Sequence, residues 1–343
     1  MKTKEVLLLT LCFILSCKSV KQKDFIQVDL TDAFILNSPE VIYSFTDKYP
    51  TDMYVRDSIA YIIQIKSDTC LMALNLNSKQ IIQSFGTSGH GPNDIISPTF
   101  ILSVDHMDVL LEDGFAGKFN VIDVNEQTNK FVVKKYMDYS DKIFHSGETN
   151  ISGNFIAGRE LGKSGKMFYI YDRNTDVVKE MDFYPEIKNL NPSLDLNYVY
   201  APSIALNEER NRVLVGMYFF DMFHVYDLSG NRIDTYCLSG NCVPSFSRNA
   251  SSLVDIIESS NTGLVRSFPT KDYCYFLRVK RNNSADNMLV KLDWDGNLIN
   301  AYNITDEIGG QFYIDEKGEK MYVIRHSLLS DIEEVFEVVS YLL

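Results

Sequence analysis

The sequence is poor in the residues that carry most metal and nucleophile chemistry. Five histidines, one tryptophan and six cysteines are spread over 343 residues. No His-x-His or His-Glu-x-x-His spacing occurs, and no second Cys or His pair stands at zinc-ligand distance. The motifs therefore predict no metal and no cofactor. Gly-x-Ser-x-Gly is missing, which excludes the strand-to-helix serine elbow of α/β hydrolases. Asp293-Trp294-Asp295-Gly296-Asn297 could open a calcium loop, but the twelfth position is Ile304 where the bidentate Glu belongs, and a hairpin turn fits better. Basic residues are also scarce: 33 Lys and Arg face 46 Asp and Glu, a net charge of -13. Without a run of Lys or Arg, such a surface repels a phosphate backbone, so no nucleic-acid partner is expected. Long stretches of Ala, Glu, Leu and Lys are absent as well, which argues against a helical bundle.

What remains is a chain built for sheets. Hydrophobic residues make up 45% and charged residues 23%, enough apolar material for a large core. Phe and Tyr are plentiful, 21 and 20, and Val and Ile are frequent, which favours β structure.

The one long apolar run covers residues 6–15, after the short basic start Met1-Lys2-Thr3-Lys4-Glu5. Ten residues are too few for the ~20 of a spanning helix but suit a secretory signal. The run ends in Ile14-Leu15-Ser16-Cys17, which resembles a bacterial lipobox, with an ordinary signal peptide and an incidental Cys as the alternative. The expected organisation is a signal peptide over 1–16, a lipidated tether over 17–24 and one domain over 25–343. Acylation at Cys17 makes the membrane a partner, since several acyl chains at ~0.8 kcal/mol per buried methylene hold far more firmly than one. No Asp follows Cys17 and no acidic cluster lies downstream, so by analogy with lipoprotein sorting the expected location is the periplasm-facing side of the outer membrane. An oxidising compartment permits a disulfide between Cys237 and Cys242, which bracket a turn-like Ser-Gly-Asn; free thiols are the alternative.

One pattern recurs along the domain: an alternating strand ending in Asp or Asn, a polar turn, and a second strand. Phe223-His224-Val225-Tyr226-Asp227 before residues 232–238 is one copy. The turn acids fall at 75, 123, 172, 227 and 293, steps of 48, 49, 55 and 66 residues. Those steps lie inside or just above the range of propeller blades, the two longest needing inserted loops. Two further strands precede each hairpin, giving five four-stranded units. The C-terminus supplies three strands without a fourth, and residues 41–45 form an orphan strand near the N-terminus. Both defects disappear if the N-terminal strand completes the last blade, which also covers exposed sheet edges. The predicted fold is all-β, a six-bladed β-propeller closed by an N-terminal strand.

Between the first and second units lies Phe85-Gly86-Thr87-Ser88-Gly89-His90-Gly91-Pro92-Asn93-Asp94. With the blade count, this loop resembles the inter-blade loops of TolB-like and NHL-type six-bladed propellers, in particular lipoproteins of Bacteroidetes. Ile95 stands where such loops often carry Phe. The resemblance covers roughly residues 25–343 and implies a fold rather than a reaction, because this fold hosts scaffolds, binders and hydrolases. Gly86, Gly89, Gly91 and Pro92 are read as a tight inter-blade crossing; a phosphate cradle would need Gly-Lys-Ser/Thr entering a helix.

Charged residues cluster where second strands end: Arg159 with Glu160, Arg278 with Lys280, and Arg325 with His326. Equivalent strand ends meet on one rim of a propeller, so these six are candidate ligand-binding residues, solvated strand ends being the alternative. The insertions at 185–197 and 239–262 fall on the same rim. Residues 250–258 have helical period with Leu253, Ile256 and Ile257 on one face, either for recognition or to cap the channel. No catalytic residue is assigned. The expected function is a non-enzymatic cell-envelope lipoprotein that binds an envelope protein or glycan through its loop-bearing rim. The alternative is a channel-centred hydrolase or lyase acting on sugars or lactones.

Overall fold

The computed structural model describes residues 25–343 except 37, 47, 92–93, 106–107, 139–142, 144–147, 160–164, 188–189, 193, 240–241, 243–251, 261, 281–286, 307 and 331–332; for 253, 258–259, 327–330 and 333–334 it describes the backbone alone. The segments expected as signal peptide (1–16) and lipidated tether (17–24), with Cys17, lie outside the described residues, as do Glu160 and Pro92.

Three N-terminal strands come first: β1 (Ile26–Gln27), β2 (Phe34–Leu36) and β3 (Glu40–Phe45). Blade one is β4 (Tyr49–Arg56), β5 (Ile59–Ile65), β6 (Thr69–Asn75) and β7 (Gln80–Thr87). Blade two is β8 (Pro98–Ser103), β9 (Val109–Asp113), β10 (Lys118–Asn125) and β11 (Lys130–Asp138). Blade three is β12 (Thr149–Ser152), β13 (Phe155–Arg159), β14 (Phe168–Asp172) and β15 (Val177–Met181). The helix α1 (Leu196–Val199) leads into blade four: β16 (Pro202–Asn207), β17 (Arg212–Met217), β18 (Met222–Tyr226) and β19 (Arg232–Cys237). The helix α2 (Leu253–Ser259) leads into blade five: β20 (Thr262–Pro269), β21 (Tyr273–Lys280), β22 (Asn287–Asp293) and β23 (Leu298–Ile304). Blade six is β24 (Phe312–Asp315), β25 (Lys320–Ser330) and β26 (Glu333–Leu342), with β3 as its outermost strand.

The ring therefore closes as the orphan strand predicts: Phe45 pairs with Phe336 and Tyr43 with Val338 in antiparallel register. The segment before it does more than the sequence suggests. β1 adds a parallel fifth strand to the outer edge of blade four, and β2 does the same on blade five. The chain thus straps two blades before it completes a third, covering edges that would otherwise offer unpaired N–H and C=O groups. Blades two and three also join through parallel pairing of β8 with β12.

Burial follows from face-to-face stacking of the blades. β5 and β6 are buried along nearly their whole length, whereas the outer strands β7 and β11 are mostly exposed. Middle strands bury both faces, so their sequences read as apolar runs such as Ile59-Ala60-Tyr61-Ile62-Ile63; alternation survives only toward the perimeter. The hydrophobic clusters lie mainly between neighbouring blades, as where Phe223, Tyr236, Phe276 and Leu292 join blades four and five.

The repeated acids cap their hairpins. Asp293 accepts from the Asp295 and Asn297 backbone N–H groups, and Gly296 takes the φ of +89° that the turn requires. In blade two the cap moves two residues on from the sequence expectation: Asn125 accepts from Gln127 and Thr128, while Asp123 pairs with Lys134 at 2.6 Å. The Gly86 crossing leads from β7 to β8. Gly86 has a φ of +72°, and the Gly91 N–H donates to Asp94 at 2.7 Å. The insertion helix begins at a capping box, Ser252 with Asp255, and buries Ile256 while leaving Ile257 exposed, a narrower apolar face than its period suggests. Cys237 and Cys242 form a disulfide; Cys70 and Cys274 are buried thiols.

Candidate functional site

All six inner strands, β4, β8, β12, β16, β20 and β24, run in one direction along the central channel. Their N-terminal ends open on the face carrying the long inter-blade loops, and their C-terminal ends open on the face of the tight turns. These two mouths and the waist between them hold the polar side chains that the fold gathers.

On the loop-bearing face, the cations singled out from the sequence have distinct surroundings. Arg278 forms a double hydrogen bond with Asp221, Nε to Oδ1 and Nη2 to Oδ2, both 2.7 Å, which ties blade five to blade four. Arg325 donates to Glu337 Oε2 through Nη2 at 2.6 Å and Nε at 3.1 Å, with Asp306 at 3.8 Å. His326 lies against the Phe336 ring at 5.0 Å, and Lys280 is half-buried at the end of β21. Arg159 turns toward the channel instead. Its Nη2 donates to the Asn197 carbonyl at 3.1 Å, and its guanidinium stands 5.9 Å from the Tyr198 ring. Burial lowers its pKa, partly opposed by Glu148. Arg159 is therefore brought to the mouth, whereas Arg278 and Arg325 are tied into ion pairs at its margin.

The channel waist holds a buried pair that links non-neighbouring blades. Arg266 Nη2 on β20 donates to Asp52 Oδ1 on β4 at 3.0 Å, both side chains almost wholly buried. Asp52 also accepts from the Met53 and Phe100 backbone N–H groups at 2.8 and 3.1 Å. A register shift lies at each partner, between Pro50 and Asp52 on β4 and between Leu264 and Arg266 on β20. Such bulges re-aim side chains, and here they mark the two positions that meet across the ring. Above the pair, toward the loop face, are Glu112 at the end of β9 and Glu148 just before β12. Burial pushes the Glu148 carboxyl up to about 7; Arg266 and Arg159 oppose the rise, and Asp52 and Glu112 add to it.

Below the pair the lining turns aromatic. Side chains two positions apart share a strand face, so Asp52 is followed by Tyr54 and Arg266 by Phe268. The Tyr313 ring on β24 is held edge-on between them, 5.1 Å from Tyr54 and 4.8 Å from Phe268. These rings floor a cavity of about 560 Å³ at the turn-side mouth, shared by blades one, two, five and six.

Residues 35–317 match the family described as TolB-like 6-blade propeller-like. The chain belongs to this family. No curated protein matches the sequence. Among solved structures, the TolB-like chain is similar to a member of the DUF4221 family from Bacteroides vulgatus, with 14% identity, a TM-score of 0.53, and 89% of this chain and 95% of that one covered. A Bacteroides fragilis protein named as exported has 13% identity and a TM-score of 0.54, covering 93% of this chain and 98% of that one. At these identities the likeness concerns the fold.

Sequence reasoning missed the waist of this TolB-like propeller. Asp52 and Arg266 are isolated charges with mostly uncharged strand neighbours, a weak signal, and their meeting depends on two bulges and ring closure. Glu112 and Glu148 gave no signal because their roles arise only where four blades converge. Two guanidiniums among three carboxylates make the cluster a poor cation site, since each Arg repels a metal and occupies the oxygens that would bind it.

Proposed function

We propose that this TolB-like propeller is an exported lipoprotein, acylated at Cys17, that binds an envelope protein through its loop-bearing rim. The observation that carries the reading is the rim itself. Both long insertions end in helices, α1 and α2, that contact each other beside the channel. They leave Tyr198 at 48%, Val254 at 60% and Ile257 at 42% exposure. Aromatic and aliphatic side chains next to a partly desolvated Arg match the composition of protein-binding hot spots. The lipobox ending at Cys17 supplies the tether.

The test is crosslinking in intact envelopes with the wild-type chain and with Tyr198→Ala, Val254→Asp and Arg159→Glu. A specific partner that is retained by the wild type and lost from the variants supports the rim. A partner retained equally by all four chains rejects it. A Cys17→Ser chain should leave the membrane fraction; if it stays, the anchor is elsewhere.

One observation favours the channel-centred hydrolase or lyase as a second reading: a carboxyl with its pKa raised to about 7, set among charged neighbours, is poised for general acid-base work. Hydrolysis of lactones or aryl glycosides abolished by Glu148→Gln supports it, and inactivity across such a panel removes it.

A further inference from the structure

We infer that the turn-side mouth of the channel, opposite the loop-bearing rim, is a binding site for a neutral oligosaccharide. The cavity there, about 560 Å³, lies within the range of small-ligand sites, roughly 300–1,000 Å³. Its floor is the partly buried Tyr313 ring, fixed between Tyr54 and Phe268. Tyr54 also hydrogen-bonds Tyr313, and burial keeps both phenols protonated well above their ordinary range. The floor thus offers a rigid apolar surface with neutral hydroxyls, the counterpart of a sugar ring with its C–H face and its hydroxyl edge.

Charge around the floor selects against ions. The chain as a whole carries -13, yet the lining contains Arg56, Lys271 and Lys317 against Asp57, Asp315 and Glu316, a balanced set. Sugar hydroxyls donate and accept, so alternating ammonium and carboxylate groups can satisfy both functions, whereas a charged ligand would find as many like charges as opposite ones. Lys317 is exposed on the Asp315 to Gly318 turn, and Asp315 is already held there by the Gly318 N–H at 3.0 Å, which fixes the turn without spending the lysine.

A second depression of about 520 Å³ lies on the far side of the Thr270 to Asp272 turn, lined by Glu209, Arg212, Tyr273 and Asp295. Lys271 spans the two, reaching Glu209 at 3.7 Å from the rim of the first. Two adjoining depressions suit a chain of linked rings rather than a single compact solute.

The experiment is calorimetric titration of the purified chain with maltotriose, cellotriose and laminaritriose as neutral probes, trigalacturonate as the anionic probe and chitosan trimer as the cationic one. At least one neutral trisaccharide should bind. Tyr313→Ala and Lys317→Ala should each weaken it, the former by about tenfold or more, while Tyr313→Phe, which keeps the ring, stays within about threefold. Lys317→Ala removes an exposed side chain, so its effect reads on the site if Tyr313→Ala fails to fold. The rim variants Tyr198→Ala and Val254→Asp should leave the titration unchanged, which separates this site from the protein-binding rim. No binding across the neutral probes, binding of a charged trimer alone, or a neutral isotherm indifferent to both Tyr313→Ala and Lys317→Ala overturns the inference.

Discussion

Asp52 and Arg266 stand 214 positions apart in sequence and meet at 3.0 Å in the channel waist, one from blade one and one from blade five, bypassing blade six. The pair draws three inner strands together, because the second Asp52 oxygen also holds the Phe100 N–H of blade two. It separates a charged mouth on the loop side from an aromatic mouth on the turn side.

Breaking this pair from one side leaves a charge buried without its partner. Asp52→Asn or Arg266→Met should each cost about 3–5 kcal/mol in urea unfolding. The double variant Asp52→Asn/Arg266→Met should lose less than the sum of the two single losses, since neither partner is then left as an unpaired buried charge and the Asn oxygen can still accept a backbone N–H. Additive losses in the double variant would mean the two residues act separately.

The Glu148 carboxyl makes stability depend on pH in an unusual direction for an acid. Its ordinary value is 4.5 and the folded value is raised to about 7. Between those limits the native state holds a proton that the unfolded chain has released, so this contribution is complete below pH 4.5 and disappears as pH rises through 7. Glu148→Gln should flatten that part of the stability profile. A wild-type curve with the same slope as the variant between pH 4.5 and 7 would contradict the shift.

The disulfide closes a short loop, Cys237 and Cys242 being five positions apart in sequence. Chain-entropy reasoning gives about 2 kcal/mol for a loop of this size. Thiol labelling followed by mass spectrometry should find Cys237 and Cys242 modified only after reduction. Cys70 and Cys274 should resist the reagent until the chain unfolds, because burial encloses both and raises their pKa values.

The N-terminal strap divides into dispensable and essential parts. Deletion of residues 25–36 removes β1 and β2, which extend blades four and five, together with the core contacts of Phe25, Val28, Leu30, Ala33 and Leu36, and should leave one cooperative thermal transition at a lower midpoint. Deletion through residue 45 also removes β3 and opens blade six, so the midpoint should fall further and the protein should associate through the bare β26 edge. Equal midpoints for the two deletions, read by circular dichroism and gel filtration, would argue against closure by β3.

Much of the architecture could be read from local pattern. Asp172, Asp227 and Asp293 mark hairpins because a carboxylate two to four residues before a backbone N–H makes the same turn wherever it occurs. The strap was not legible. β1 and β2 are two and three residues long, and they pair with strands more than 200 positions away, so nothing near them in sequence announces a sheet. The candidate site divides in the same manner. Arg159 and Arg278 stand at or near the ends of their second strands, as the sequence suggests, whereas β25 runs on to Ser330 and leaves Arg325 and His326 inside the strand, because the repeat pattern shows where a strand begins better than where it stops. The arginines' partners Asp221 and Glu337, and the Glu148 field at Arg159, come from other strands and loops.

The sequence by itself determined the number of blades, the closing strand and the turn chemistry, because each follows from hydrophobic period and side-chain capping within a few residues. Only the tertiary structure decided which charges meet. Ring closure brings six inner strands to one axis, and at that axis desolvation and bulge geometry, rather than any local pattern, set the pairing of Asp52 with Arg266, the raised pKa of Glu148 and the aromatic floor beneath them.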